Sequence, residues 1–191
     1  MYAENADDSL NKTMVTMADL TTFSRRYEVS GLVAASPGSV FDFLDSPSRL
    51  TDHMSKPTWT MGGGKMSLEL DAGQGRRVGS TMNLWGSAFG LPLSLREVVI
   101  ERDPPHRKVW QTVGEPRLWV IADHRLGFEI SERSNGCRAR VFIEYALPSR
   151  GAGRWLGRFF GSSYAKWCTR RMLGDARAHF SRHTAELEAA R

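Results

Sequence analysis

"GLVAASPGSVFDFLDSPSRL", residues 31–50, decides how this chain folds. A smooth run ends at Ser36-Pro37, where Ser36 is suited to cap a helix and Pro37 to occupy its first position. Val40, Phe41 and Leu44 then form one apolar stripe. Ser46-Pro47 repeats the signal and predicts a second short helix through Leu50 and His53. Two helices of two or three turns bury too little to make a core. They make sense as the closure of one end of a core supplied by other elements.

Those elements are strands. Residues 25–34 alternate, with Tyr27, Val29, Gly31 and Val33 on one face and Arg26, Glu28 and Ser30 on the other. "KMSLELDAG" alternates at Met66, Leu68 and Leu70. "RVGSTMNLWG", "LPLSLREVVIERD" and "RKVWQTV" follow as further strands, with turns near Gly90 and at 103–105. The clearest alternation is residues 118–130, where Leu118, Val120, Ala122, His124, Leu126, Phe128 and Ile130 share a face. Ser134-Asn135-Gly136 marks a hairpin turn. The last strand then places Cys137, Ala139, Val141, Ile143 and Tyr145 inward.

The tail reads as helix in two pieces. Trp155, Leu156, Phe159 and Phe160 form one apolar cluster, and Gly161-Ser162-Ser163 reads as a break. Ala165, Cys168, Met172, Ala176, Phe180 and Leu187 then keep one inward stripe. The order is strand, two short helices, about six strands and a long helix. It predicts an α+β fold: a curved antiparallel sheet of about seven strands around the C-terminal helix. Such a sheet and helix do not fill the space between them, so a cavity is expected.

The 191 residues fit one domain, residues 23–191, preceded by a loose tail over 1–22. Apolar residues make up 41% of the chain, enough for a core. The net charge is +5, and its location matters more than its size. Between Arg150 and Arg191 there are nine Lys/Arg and three Asp/Glu, so the basic character belongs to the last quarter. Cys137 and Cys168 form neither a disulfide framework nor a zinc spacing. The acidic, polar N-terminus is unlike a signal peptide, and no apolar run reaches the ~18 residues of a membrane helix. The expectation is a cytoplasmic protein, monomer or homodimer, without metal or other cofactor.

Three stretches resemble a known superfamily. "VAASPGSVFDFL" is similar to the opening of the START-like (SRPBCC) superfamily of polyketide cyclases, lipid-transfer domains and pollen-allergen-type carriers. "REVVIERDPPHRKVWQ" resembles its central strands and their Asp-Pro-Pro turn, and "HRLGFEISERSNGCRARVFIEY" its last hairpin. The resemblance covers about residues 24–188. It implies the helix-grip fold and a hydrophobic ligand cavity. It does not imply one chemistry, because the superfamily includes carriers and cyclases alike.

His124 shares its strand face with apolar residues and is expected to point inward. It reads either as a hydrogen-bonded core histidine or as a functional group, a general base or a donor that orients a ligand carbonyl. Tyr145, inward on the adjacent strand, reads as a ligand anchor or as core packing. Glu97 lies in the register of Leu91, Leu93, Leu95 and Val99, and a one-residue slip turns it outward. Asn83 and Trp85 share that ambiguity. His179 and His183 have metal-pair spacing but no third ligand near in sequence. "MGGGK" at 61–65 fails as a phosphate loop, because Trp59 replaces the first glycine and Met66 the Ser/Thr.

Residues 150–161 mix three arginines with Trp155, Phe159 and Phe160. They suit either transient contact with a membrane surface or packing on the sheet edge. Basic residues spread around the helix argue against nucleic acid. The expected function is binding of an apolar or aromatic small molecule (lipid, isoprenoid or polyketide-like) as carrier or sensor. Its cavity is assigned to Tyr27, Val29, Val33, His124, Leu126, Phe128, Val141, Ile143, Tyr145, Met172 and Phe180. The alternative is a polyketide cyclase- or aromatase-like enzyme using His124 with Tyr145 or Glu97.

Overall fold

The structure, a computed structural model, describes residues 23–51 and 64–189, without the side chains of 50, 51 and 183–189. The expected loose tail, His53, residues 61–63 of "MGGGK" and the His183 side chain lie outside the described residues.

The first strand, β1 (Arg25–Val33), leads to Ser36, whose hydroxyl accepts the Ser39 N–H at 3.2 Å and caps helix α1 (Pro37–Leu44). Val40, Phe41 and Leu44 are its buried face. Helix α2 (Pro47–Thr51) follows. The remaining strands are β2 (Met66–Leu70), β3 (Thr81–Ala88), β4 (Leu91–Asp103), β5 (Arg107–Arg117), β6 (His124–Arg133) and β7 (Gly136–Tyr145). They form one seven-stranded antiparallel sheet in the order β1-β7-β6-β5-β4-β3-β2. Helix α3 (Gly151–Ala189) lies mainly along β1 and β7. No described helix is long and apolar enough to cross a membrane.

Two expectations are corrected. The alternation at 118–123 is not strand, and β6 starts at His124. β5 instead runs on to Arg117, and the chain returns through a connection in which Ile121, on the opposite parity, is the buried residue. The break at Gly161-Ser162-Ser163 is also absent, and α3 is continuous. Gly157 and Gly161 are contact points. A Cβ on Gly161 would stand 2.8 Å from the Val120 carbonyl and 2.7 Å from Leu147, and one on Gly157 would stand 2.7 Å from Pro148. Glycine lets the helix lie on the 118–122 connection and on Leu147-Pro148.

The core is packed unevenly. Val33, Phe41, Phe128, Ala139, Val141 and Ile143 are essentially inaccessible. Phe41 meets Phe128 edge-on at 5.4 Å, and Trp110 meets Phe128 at 6.3 Å. By contrast Leu68, Leu93, Leu95 and Leu118, which also pack on the core, keep accessible surface. The tight half is centred on β6 and β7, while Tyr27 and Val29 on β1 are half-buried. The looser half faces β2 to β5, where Met66, Met82, Leu84, Val99 and Trp110 are nonetheless buried.

An ion cluster pins α1 to β4 and β5. Asp45 caps the C-terminus of α1 and is 2% exposed. Lys108 Nζ donates to its carboxylate at 2.7 Å, and Arg102 donates to it at 2.8 Å. Burial lowers the Lys108 pKa, and the Asp45 carboxylate opposes that shift.

Candidate functional site

The sheet's register assembles the site. Met82 on β3 faces Glu97 on β4, and Glu97 faces Thr112 on β5. His124 on β6 faces Tyr145 on β7. Because side chains alternate along a strand, residues paired across strands share a face. Glu97 is therefore inward beside buried Met82, and Arg96 points outward to Asn83 at 3.1 Å. Asn83 is thus outward, and Trp85, of the same parity, is 45% exposed. The pairing of β4 with β5 shifts at Ser94/Arg96 and again at Val99/Glu101, but that with β3 stays regular.

Thr112 ends the ladder between β5 and β6. Its hydroxyl accepts the His124 N–H at 3.3 Å and lies 3.2 Å from the His124 carbonyl and 2.9 Å from His124 Nδ1. On the other side of the ring, His124 Nε2 lies 2.9 Å from Glu97 Oε1. Glu97 is 7% exposed and His124 6%. Thr112 has one hydroxyl hydrogen. If it goes to Nδ1, then Nε2–H donates to the carboxylate. If it goes to the carbonyl, Nδ1 is the donor and the proton between Nε2 and Oε1 belongs to an imidazolium or to the carboxyl. In each case one proton lies between Glu97 and His124, in a wall otherwise largely apolar. Such a pair can donate to, or accept from, a carbonyl or hydroxyl placed beside it.

Helix α3 brings Tyr164 and Cys168 towards this pair. Burial raises the Tyr164 phenol well above its usual range, and negative charge at Cys168 and Glu97 adds to the shift. Burial and then the Glu97 charge push the Cys168 thiol up to about 12. Both groups are therefore neutral at ordinary pH and serve as hydrogen-bonding or apolar wall. Thr112 and Tyr164 are additions to the residues picked out from sequence, and Cys168 lies on the inward stripe read there without being assigned to the site. Thr112 was legible in principle, because it alternates with Trp110 and Lys108 on the inner face of β5.

Tyr145 is 3% exposed and stands beside His124 in register, but among the described residues its hydroxyl makes no hydrogen bond to His124. It borders an open depression of ≈ 280 Å³ shared with Arg25, Tyr27, Ser162 and Lys166. There the Tyr27 hydroxyl accepts from Arg170 Nε at 3.2 Å. The other residues assigned to the cavity also lie on the inner side. Val33, Leu126, Phe128, Val141, Ile143 and Met172 are buried in the core cluster, and Val29 and Phe180 pack against it half-buried. His179 lies against Phe43 with ring centroids 4.8 Å apart and a tilt of 31°, and Phe180 meets Phe43 edge-on at 5.9 Å. Among the described residues no group of three metal-ligating side chains occurs.

No protein-family model and no curated protein matches the chain. Solved structures do. A protein from Chromobacterium violaceum superposes with TM-score 0.56 at 17% identity, covering 81% of this chain and 96% of that one. The di-domain ARO/CYC protein BexL superposes with TM-score 0.56 at 17% identity, covering 94% of this chain and 59% of that one. Ara h 8.0201 superposes with TM-score 0.52 at 10% identity, covering 80% and 96%. With its curved seven-stranded sheet, its two short helices after the first strand and its long C-terminal helix, the chain has the helix-grip fold.

Proposed function

We propose that the chain binds an apolar or aromatic small molecule, lipid, isoprenoid or polyketide-like, between α3 and the inner face of β2 to β5, as a carrier or sensor. The supporting observation is the contrast across the core. Leu68, Leu93, Leu95 and Leu118 face inward and keep accessible surface, while Phe128, Val141 and Ile143 on β6 and β7 are inaccessible. This apolar wall ends on the Glu97–His124–Thr112 group, which fits an oxygen at one end of the ligand. A ligand burying about 300 Å² of apolar surface there gains about 7 to 8 kcal/mol, against about 1 kcal/mol for its one hydrogen bond. Apolar contact sets affinity, and the polar group sets orientation.

The test is a fluorescence titration with anilinonaphthalenesulfonate, an apolar aromatic probe. Wild type should bind it saturably. Leu95→Trp, which fills the looser half, should weaken binding at least tenfold, about 1.4 kcal/mol. Equal binding by both proteins contradicts the location.

A second reading has its own observation. A proton held between two buried side chains, with the hydroxyl of a third on the far side of the ring, suits a cyclase or aromatase that moves protons at a bound polyketide. In that reading His124 transfers the proton and Glu97 holds the ring. If wild type converts a bound ligand, and His124→Ala binds it equally well but turns it over a hundredfold slower (about 2.7 kcal/mol), the chain is an enzyme.

A further inference from the structure

The first turns of α3 carry their aromatic side chains on the wrong side for a core. Trp155 is 65% exposed, Phe159 66% and Phe160 56%. Trp155 and Phe159 stack on each other at 6.4 Å, with their rings 15° from parallel, and leave a joint apolar face in water. A separate exposed aromatic, Phe89 at 70%, tops the turn between β3 and β4. Both features lie at one end of the molecule. The Trp119 indole N–H donates to the Pro92 carbonyl at 3.0 Å, and a Cβ on Gly153 would stand 3.5 Å from the Trp119 carbonyl. Trp119 thus ties the base of the β3–β4 turn to the start of α3, at the end opposite α1.

The charge that the first half of α3 carries has one sign. No Asp or Glu occurs between Glu144 and Asp175. Arg150, Arg154 and Arg158 are interleaved with the aromatics, and Lys166, Arg170 and Arg171 follow along the helix. Arg154 and Arg158 have no ion pair among the described residues. An exposed Glu115 sits near the end of β5, with Arg117 two positions on.

The geometry points to an anionic lipid surface as the partner of this end. Aromatic rings exposed to this degree lower their free energy in the headgroup region of a bilayer, where rings and their polar edges are both accommodated. Interleaved arginines add attraction to acidic headgroups. A second copy of the chain fits poorly, because pairing this face with itself sets Arg154 and Arg158 against their equals. The contact is peripheral, and docking of this kind does not depend on the ligand proposed above.

Co-sedimentation of the full chain with vesicles tests it. Vesicles of equal parts phosphatidylglycerol and phosphatidylcholine should bind wild type, and pure phosphatidylcholine vesicles should bind at least tenfold less. Arg154→Glu with Arg158→Glu should weaken binding by about fivefold for each charge removed, and more once repulsion is added. Trp155→Ser with Phe159→Ser should weaken it at least tenfold, at unchanged circular dichroism. A readout that needs no variant is quenching of wild-type tryptophan emission by brominated phosphatidylglycerol, which should be strong. Absence of quenching, equal binding to both vesicle types, or full binding by the Trp155/Phe159 variant overturns the assignment. So does a lipid-free dimer that Phe159→Ser dissolves, which gives the face to a second copy.

Discussion

Glu97 Oε1 and His124 Nε2 lie 2.9 Å apart, both side chains buried, although 27 residues separate them along the chain. Nothing in the fold requires polar groups there. Their neighbours along each strand on the inner face, Leu95, Val99 and Leu126, are apolar. Taking such a pair out of water is costly, and removing one partner leaves the other buried and unpaired. His124→Leu and Glu97→Leu should each destabilise by about 3–5 kcal/mol in urea unfolding, and the double substitution by clearly less than their sum. Additive losses would show that the two groups do not act as a unit.

Gly161 and Gly174 lie on the same helix and should respond oppositely to alanine. A Cβ at Gly161 meets Leu147 at 2.7 Å and the Val120 carbonyl at 2.8 Å, whereas one at Gly174 meets nothing within 4 Å. Alanine favours helix over glycine by about 1 kcal/mol. Gly174→Ala should gain most of that. Gly161→Ala should lose about 1–3 kcal/mol through overpacking. A gain at both positions in thermal unfolding would show that α3 does not rest on the 118–122 connection.

That contrast also marks the limits of what the sequence disclosed. The caps at Ser36-Pro37, the seven strands and the inward face of His124 follow from local spacing, which is a short-range property. The Gly161 step does not, because a glycine that breaks a helix and one that lets a helix touch backbone look alike in sequence. Leu118, Val120 and Ala122 continue the alternation of β6 by parity alone, while the pairing that defines a strand goes to β5 residues up to Arg117. The partnership of Glu97 with His124 depends on register across β4, β5 and β6, and the β4–β5 pairing shifts at two places. Lys108, between Arg107 and Val109, reads as surface. Its burial depends on Asp45, 63 residues away.

The Asp45 cluster should be among the most sensitive points of the fold. Asp45→Ala leaves Lys108 and Arg102 without the carboxylate that both now bind, and uncaps the contact between α1 and the sheet. A loss of about 3–5 kcal/mol in urea unfolding is expected. A loss below about 1 kcal/mol would mean that water already screens the cluster.

Cys168 should be inert. With its pKa pushed up to about 12, the native thiolate fraction at pH 8 is about one in ten thousand. Burial also raises the Cys137 thiol. Iodoacetamide at pH 8 should therefore leave both cysteines unlabelled in the native protein and label both in urea. The linkage has a definite sign. An unfolded Cys168 ionises near its ordinary value of 9.0 and the folded one near 12, so its contribution to stability is complete below pH 9 and is lost as pH rises towards 12. Tyr164 is shifted in the same direction. Rapid native labelling of Cys168 would mean that the interior beside Glu97 is open to water.

Native mass spectrometry of the freshly purified chain tests the central claim most directly. Wild type should carry a non-covalent small molecule, and Leu95→Trp, purified in parallel and folded by circular dichroism, should fly without it. A bare wild-type chain that also fails to take up an added apolar aromatic compound, or the same adduct on both proteins, would contradict binding between α3 and the inner face of β2 to β5.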